Sequence, residues 1–244
     1  MPEGPSIRIL KEETQQFTGQ KILSASGNSA IDMDRLEGKT IKSLKTWGKH
    51  FLICFDDFTV KIHLLMFGTY RINERKTLEP RLSMVFTNEE ELNFYTCSVK
   101  ILEGDINLHY QWDEDVMNES WDPEKAKKSL DKIPKRMICD AVLDQDIFSG
   151  VGNIIKNEVL YRCYIHPESL VGKIPEDKLR EIIDECSVYS FQFLEWKKKN
   201  ELKKHWLAHT KKVCLRCDLP FHKKQTGVKK RRSFFCTNCQ NLYQ

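Results

Sequence analysis

The sequence contains no long apolar run. None of its 244 residues falls in a stretch of about 18 apolar residues, the minimum expected of a membrane-spanning helix. The amino terminus also lacks the basic segment followed by an apolar one that is typical of a secretory signal. These absences predict a protein of the cytosol or nucleoid with no membrane partner, in which the nine cysteines stay reduced.

Acidic residues are scarce in the last fifth of the chain. Residues 196–244 contain 14 lysines and arginines against two acids, whereas residues 1–195 contain 25 against 33. The net charge is therefore +12 in residues 196–244 and −8 in residues 1–195. This asymmetry favours a polyanion-binding appendage on a mildly acidic body. An ordinary solvated basic face is the alternative that composition alone leaves open.

The sequence has no internal repeats, and its residue pattern changes along the chain. Residues 5–18 have helical spacing, with Pro5 at the start and Gly19 past the end. Short alternating or β-branched runs follow up to about residue 110 and predict an antiparallel sandwich or barrel. Examples are KILSASG, KTIKSLKTW, HFLICF, FTVKIHLL, RLSMVF and INLHY.

Helical patterns begin after a linker-like segment at residues 111–121. Asp122-Pro123-Glu124 supplies a cap, a first-turn proline and a first-turn acid. Residues 175–194 place six residues on one apolar helix face: Leu179, Ile182, Ile183, Cys186, Tyr189 and Phe193. The predicted fold class is α+β, with a β-sandwich domain at 1–115, a helical domain at 116–208 and a small basic module at 209–244.

The basic module carries two CxxC pairs. Cys214 and Cys217 are separated by 18 residues from Cys236 and Cys239, which is the spacing of a structural zinc ribbon. Four thiolates complete a tetrahedron, so the predicted cofactor is one structural Zn²⁺ with no open position for catalysis. The other five cysteines lie mostly in apolar runs and are interpreted as buried small hydrophobes.

Between the two pairs lies HKKQTGVKKRRS, a predicted hairpin with Gly227 at its turn. Its six cations are not accompanied by an acid, so the hairpin is predicted to bind a phosphate backbone. The alternative is that these charges only keep an exposed hairpin tip soluble. A second glycine turn, Gly150-Val151-Gly152-Asn153, separates two helical patterns and predicts a helix that begins near Asn153, with Asn153 as its cap. Backbone N–H groups exposed there suit a phosphate, although plain helix packing gives the same pattern.

The first residues are Met-Pro-Glu-Gly-Pro. Removal of Met1 would leave Pro2 as a secondary amine and a potential nucleophile; otherwise Gly4-Pro5 simply starts a helix. Taken in order, MPEGP, WGKH, DQ-x5-GVGN and the terminal cysteine module resemble the formamidopyrimidine-DNA glycosylase/endonuclease VIII family of base-excision repair enzymes. The resemblance covers nearly the whole chain, and it implies a β-sandwich, a helix–two-turn–helix domain and a zinc finger.

The resemblance also implies roles for individual residues. Pro2 would attack the sugar carbon that bears the damaged base, Glu3 would act as acid and base, and Lys49 would contact DNA near the lesion and assist catalysis. Asn153 and Arg231 would grip phosphates around the extruded nucleotide. The implied partner is damaged double-stranded DNA, bound by a monomeric, nucleoid-associated protein of bacterial type.

The same resemblance points to residues that fill the gap left by the extruded base. Leu65, Met66 and Phe67 follow His63 and cannot all face one side of a strand, so they are predicted to form a wedge between bases. The formamidopyrimidine branch uses a second loop with an Arg-Arg-Phe-Gly stretch, and the matching region here reads NFYTCSVKILEG. The endonuclease VIII branch inserts three adjacent residues, which favours oxidised pyrimidines as substrates and cleavage by β,δ-elimination.

Two departures from the family pattern bear on this reading. Ser6 stands where the family usually has glutamate, and Leu65 replaces a glutamine that could contact the opposite base. Two alternatives stay open: the same chemistry on oxidised purines, and a lesion-binding protein without catalysis if Met1 is retained.

Overall fold

The computed structural model describes residues 2–244 and contains two compact units, one ending at Gln111 and the other spanning Trp112–Gln244. The helices and the cysteine module belong to the second unit, so the division into domains at 115/116 and 208/209 stays a prediction. In residues 2–244 no helix is long and apolar enough to cross a membrane.

The first unit contains one helix and eight strands. They are α1 (Gly4–Glu13), β1 (Ile22–Ser26), β2 (Ser43–Trp47), β3 (His50–Cys54), β4 (Phe58–His63), β5 (Thr69–Ile72), β6 (Leu82–Phe86), β7 (Glu91–Tyr95) and β8 (Ser98–Glu103). The strands form two four-stranded antiparallel sheets, ordered β1-β6-β7-β5 and β2-β3-β4-β8. Both sheets and α1 share one apolar core, which confirms the predicted sandwich.

Helix α1 begins where the sequence predicts, with Pro5 in its first turn. It ends at Glu13, earlier than predicted, and a 3₁₀ turn follows at Gln15–Phe17. The hydroxyl of Thr14, the residue between them, donates to the carbonyl of Leu10 at 2.7 Å. Gly19 then adopts a φ of +83°, a backbone conformation that glycine adopts without steric cost.

The prediction of a strand at INLHY is wrong. Ile106–Leu108 form a 3₁₀ turn, because the carboxylate of Asp105 accepts a hydrogen bond from the backbone N–H of Asn107 at 2.9 Å. A short polar side chain that bonds its own backbone in this way favours a turn over a strand. Strands β5, β7 and β8 lie within the predicted β region but not in the six runs quoted as examples.

The second unit contains four helices and one hairpin. They are α2 (Pro123–Asp131), α3 (Ile138–Ala141), α4 (Asn153–Arg162), α5 (Glu176–Lys198), β9 (His222–Thr226) and β10 (Arg231–Phe235). Asp122 caps α2 by accepting hydrogen bonds from the N–H groups of Glu124 and Lys125, as predicted. The six residues predicted to form the apolar face of α5 are all buried.

Candidate functional site

The amino-terminal segment enters α1 through Glu3. Its backbone carbonyl accepts hydrogen bonds from the N–H groups of Ser6 and Ile7 at 2.8 and 3.3 Å, while its carboxylate does not cap the helix. The Glu3 side chain is fully buried and Pro2 is half-buried. The predicted removal of Met1 concerns a residue outside the described range, and nothing in the structure explains Ser6.

Lys49 lies in the two-residue turn that joins β2 to β3. Trp47 pairs with His50 across the turn, and Gly48 has a φ of +52°. Lys49 is not among the residues with a positive φ. A positive φ on the first member alone is the type II′ arrangement, in which glycine is preferred. Helix α1 packs against both β2 and β3, so the predicted catalytic residues Pro2, Glu3 and Lys49 come from elements that contact one another.

Two histidines lie beside Lys49. His50 and His63 are register partners on β3 and β4, and their ring centroids are 5.3 Å apart. Burial, aided by the charges of Lys61, His63 and Lys49, lowers the pKa of His50 to about 3. Burial and the same two lysines also lower the pKa of His63. Both imidazoles are therefore neutral at pH 7, and the fixed positive charge of this region comes from lysine.

The loop after His63 exposes the three residues predicted to form a wedge. The N–H of Gly68 donates to the carbonyl of Leu64 at 2.7 Å and closes a five-residue turn. Leu65, Met66 and Phe67 are 46%, 47% and 76% exposed. A Cβ on Gly68 would lie 2.1 Å from the Leu64 carbonyl oxygen, so this tight closure requires glycine.

The connection from β7 to β8 is short. It consists of Thr96 and Cys97 alone, with Thr96 at a φ of +52° and Cys97 buried. A two-residue connection has no room for a second insertion loop between β7 and β8.

In the second unit the glycine turn precedes α4. Gly150 has a φ of +98°, and its N–H donates to the side-chain oxygen of Gln145 at 3.2 Å, while the amide of Gln145 donates to the carbonyl of Val151 at 3.1 Å. The helix begins at Asn153, as predicted, but the prediction that Asn153 is the cap is wrong by one residue. The extended Gly152 caps the helix, which places the Asn153 side chain on the first helical turn.

The first turn of α4 binds the hairpin through one carbonyl group. The Arg232 carbonyl accepts hydrogen bonds from the side chains of Asn153 at 2.9 Å, Lys156 at 3.3 Å and Asn157 at 3.3 Å. Lys156 also donates to the hydroxyl of Ser233 at 2.7 Å. Because Arg231 precedes this carbonyl, the structure brings the two predicted phosphate-binding residues, Asn153 and Arg231, onto adjoining elements.

Sequence reasoning missed the polar residues that make this junction. Lys156, Asn157 and Glu158 are consecutive on α4 and all buried. The Glu158 carboxylate accepts three backbone hydrogen bonds, from Leu207, Ala208 and His209, at 2.7–3.0 Å, although burial still raises its pKa. These three polar residues interrupt an apolar stretch of the helix. Consecutive residues point in different directions around a helix, so the three cannot all face solvent. This pattern was the signal of a buried polar junction that the sequence contained.

The predicted metal ligands come together. The Sγ atoms of the four cysteines all lie within 4.8 Å of one another, with Cys214–Cys239 at 3.5 Å and Cys217–Cys236 at 3.4 Å. A tetrahedron with Zn–S bonds of about 2.3 Å has S···S edges of about 3.8 Å. The cluster therefore has the size and donor set of a structural zinc site. The hydroxyl of Tyr161, on α4, lies 3.3 Å from the Cys214 sulfur.

Two family models match the sequence. The formamidopyrimidine-DNA glycosylase N-terminal domain matches residues 1–97, and the formamidopyrimidine-DNA glycosylase H2TH domain matches residues 113–189. Together they cover well over half of the chain. The chain belongs to the formamidopyrimidine-DNA glycosylase/endonuclease VIII family.

Relatives of this glycosylase family come from two groups. Endonuclease 8-like 3 of Xenopus laevis is 26% identical over 231 residues, covering 90% of this chain and 38% of the relative. Formamidopyrimidine-DNA glycosylase of Mycoplasmopsis pulmonis is 26% identical over 281 residues, covering 98% of each chain. The chain thus spans about two fifths of the length of the endonuclease 8-like 3 relatives, which extend well beyond the matched part.

Solved glycosylase structures share the fold. A viral DNA glycosylase has a TM-score of 0.84 at 21% identity, with 98% of this chain and 100% of that chain covered. Lactococcus lactis formamidopyrimidine-DNA glycosylase bound non-covalently to AP-site DNA has a TM-score of 0.86 at 23% identity, with 98% and 99% covered. These likenesses establish the fold over 98% of the chain.

Proposed function

We propose that this chain is a bifunctional DNA glycosylase and AP lyase of base-excision repair, which acts as a monomer on damaged double-stranded DNA. The observation that carries the proposal is the amino-terminal segment: Pro2 and Glu3 precede α1, and the fully buried Glu3 carboxylate is not used as a helix cap. Removal of Met1 would place a terminal secondary amine beside this buried carboxyl group, which is the composition needed for nucleophilic and acid–base catalysis.

In the proposed reaction the Pro2 nitrogen attacks C1′ of the damaged nucleotide, and the base departs with a proton. Glu3 supplies a proton to the opening sugar. The resulting cationic iminium withdraws electrons from C2′, so that loss of the C2′ proton expels the 3′ phosphate. A further elimination expels the 5′ phosphate, and hydrolysis of the iminium returns Pro2. Lys49, on the turn between β2 and β3, is assigned to the DNA near the lesion.

Binding is assigned to both units. Asn153 and Arg231 would hold the phosphates beside the extruded nucleotide, and Leu65, Met66 and Phe67 would fill the gap that it leaves, since extrusion costs a few kcal/mol of unstacking. The four cysteines would hold one Zn²⁺, which supplies folding free energy to the terminal module and leaves no coordination position open.

Oxidised pyrimidines are the proposed substrates. The exposed apolar triplet of the 64–68 loop and the two-residue β7–β8 connection support this choice, because they leave a single loop to replace the base. Oxidised purines are the second candidate, and matched relatives named formamidopyrimidine-DNA glycosylase favour them. Parallel excision assays on duplexes with thymine glycol and with 8-oxoguanine separate the two, and faster processing of the purine lesion overturns the first choice.

The decisive experiment combines intact mass, borohydride trapping on an abasic duplex and peptide mapping. Protein without Met1 is expected to give a covalent adduct on the peptide that begins with Pro2. A Glu3→Gln variant is expected to bind the duplex but to excise bases far more slowly. If protein that lacks Met1 forms no adduct, the catalytic proposal is contradicted. Protein that retains Met1 and binds lesions without cutting supports the alternative of a lesion-binding protein.

A further inference from the structure

The outward face of the sheet β2-β3-β4-β8 carries lysines. Along β4 and β8 the residues that alternate with them, Val60, Ile62 and Val99, belong to the apolar core. Side chains alternate between the two faces of a strand, so Lys61 and Lys100 lie on the face opposite the core. Strand β8 is at the edge of this sheet.

Lys61 and Lys100 are direct register partners on β4 and β8. Like charges opposite each other on neighbouring strands destabilise a sheet, and the pKa of Lys61 is lowered by burial and by the charge of Lys100. Neither lysine forms an ion pair within residues 2–244. Two neighbouring ammonium groups that no carboxylate neutralises provide the positive charge that an anion-binding surface needs.

The other end of the same sheet differs. There Lys39 and Lys42 each pair with a carboxylate, Asp57 at 3.0 Å and Asp56 at 3.1 Å. The two lysines that precede β2 are thus neutralised near the end of the sheet away from the exposed loop, whereas Lys61 and Lys100 are not.

The Lys61–Lys100 pair continues the basic region of the candidate site. Lys61 precedes His63 by two residues on β4, a distance of about 7 Å, and the exposed 64–68 loop begins directly after His63. Both Lys61 and Lys49 are close enough to His50 and His63 to lower the pKa of each. A strand of B-DNA advances about 3.4 Å per phosphate along its axis, so about two further phosphates span this distance.

We propose that Lys61 and Lys100 form a phosphate-binding surface for the DNA backbone that flanks the damaged nucleotide. This inference rests on the proposed DNA-binding function and adds a contact beyond the lesion. The partner is a nucleic-acid strand, because a row of ammonium groups recognises phosphates without reading base sequence.

The test compares two double variants of equal charge. Lys61→Gln/Lys100→Gln removes the pair, and Lys39→Gln/Lys42→Gln removes two cations from the opposite end of the same sheet. Fluorescence anisotropy measures binding to a duplex with a stable abasic analogue as salt is raised. Each phosphate contact contributes about 0.9 to the slope of log affinity against log salt. The first variant is therefore expected to lower this slope by about 1.8 relative to wild type, and the control is expected to leave it unchanged.

A series of duplexes shortened from either side locates the contact. Wild-type affinity is expected to fall when the contacted flank is removed, and the Lys61→Gln/Lys100→Gln variant is expected to be insensitive to that removal. Equal slopes for wild type and this variant, or an equal deficit on every duplex including the shortest, overturn the proposal.

Stability and chemistry are read separately. Loss of the repulsion between Lys61 and Lys100 is expected to leave the melting temperature of the double variant at or above that of wild type. Should the double variant fold poorly, the single change Lys100→Gln at the exposed edge is expected to lower the salt-dependence slope by about 0.9. Anisotropy does not require covalent chemistry. Failure of wild-type protein to form a borohydride adduct contradicts the glycosylase proposal and leaves the salt slopes to decide this one.

Discussion

The carboxylate of Asp140, on α3, accepts a hydrogen bond from the backbone N–H of Val228 at 2.7 Å. The same carboxylate accepts a second one from the N–H of Lys229 at 3.1 Å, and the ammonium of Lys229 donates to the carbonyl of Leu143 at 2.9 Å. Gly227 permits this approach, because a Cβ there would lie 2.3 Å from the Asp140 carboxylate. The turn that leads into Arg231 is thus held on α3.

Replacement of Asp140 by alanine is expected to weaken DNA binding through this turn. Asp140 is 3% exposed, and the loss of one partner from a buried hydrogen bond costs about 1–3 kcal/mol. Urea unfolding is expected to show a loss of this size, and anisotropy a weaker affinity for abasic duplex. Asp140→Asn keeps one acceptor oxygen and is expected to fall between wild type and Asp140→Ala.

The matched control for this change is Asp146→Ala, at an exposed acid that follows shortly after α3. It is expected to leave both unfolding and binding within error of wild type. Unaltered affinity in Asp140→Ala, with the expected loss of stability, contradicts a role in placing Arg231.

The contacts of Asp140 could not be predicted from the sequence. The CxxC spacing, the Asp122 cap and the start of α4 depend on neighbours within a few residues, and each was predicted. Asp140 and Lys156 find their partners 88 and 77 residues away, so neither residue carries a local signal of its role. INLHY shows the opposite error: its alternation suits a strand, and the adjacent Asp105 bonds the backbone into a turn.

Truncation of Phe67 to alanine is expected to slow base excision from duplex DNA without destabilising the protein. Phe67 is 76% exposed, and exposed substitutions usually change the free energy of unfolding by less than about 0.5 kcal/mol. Steady-state excision from a base-lesion duplex is expected to fall by about fivefold to 150-fold, since base–aromatic stacking contributes about 1–3 kcal/mol. Leu108→Ala, at an apolar residue that is 84% exposed, is the control and is expected to excise at the wild-type rate.

Metal removal is expected to abolish DNA binding. Purified protein should contain one zinc per chain by elemental analysis. Chelation, or Cys236→Ser, should release the terminal module because metal binding supplies its folding free energy. Since Tyr161 of α4 packs with Cys214 and Cys236 in one buried cluster, the melting temperature is also expected to fall. Metal-free protein that binds DNA with wild-type affinity contradicts the assignment.

His50 is expected to make the protein less stable as the pH falls. Its folded pKa of about 3 lies below the value of about 6.5 for an unfolded histidine. Between these values the unfolded chain binds a proton that the folded chain does not, so the free energy of unfolding decreases as pH falls from 6.5 towards 3. The limiting slope is about 1.4 kcal/mol per pH unit for one histidine.

His50→Gln, which cannot take up a proton in this range, is expected to flatten this part of the stability curve. Urea unfolding at pH 7.5, 6.0 and 5.0 measures the slope, and His109→Gln, at an exposed histidine, is the control that retains it. His63→Gln is expected to flatten the curve as well, because burial lowers the pKa of His63 in the same direction. A slope in His50→Gln equal to that of wild type would show that the folded and unfolded protein bind the His50 proton equally, which contradicts the lowered pKa. The His50 imidazole would then add charge beside Lys49 as the pH is lowered, and the salt dependence of DNA binding would rise.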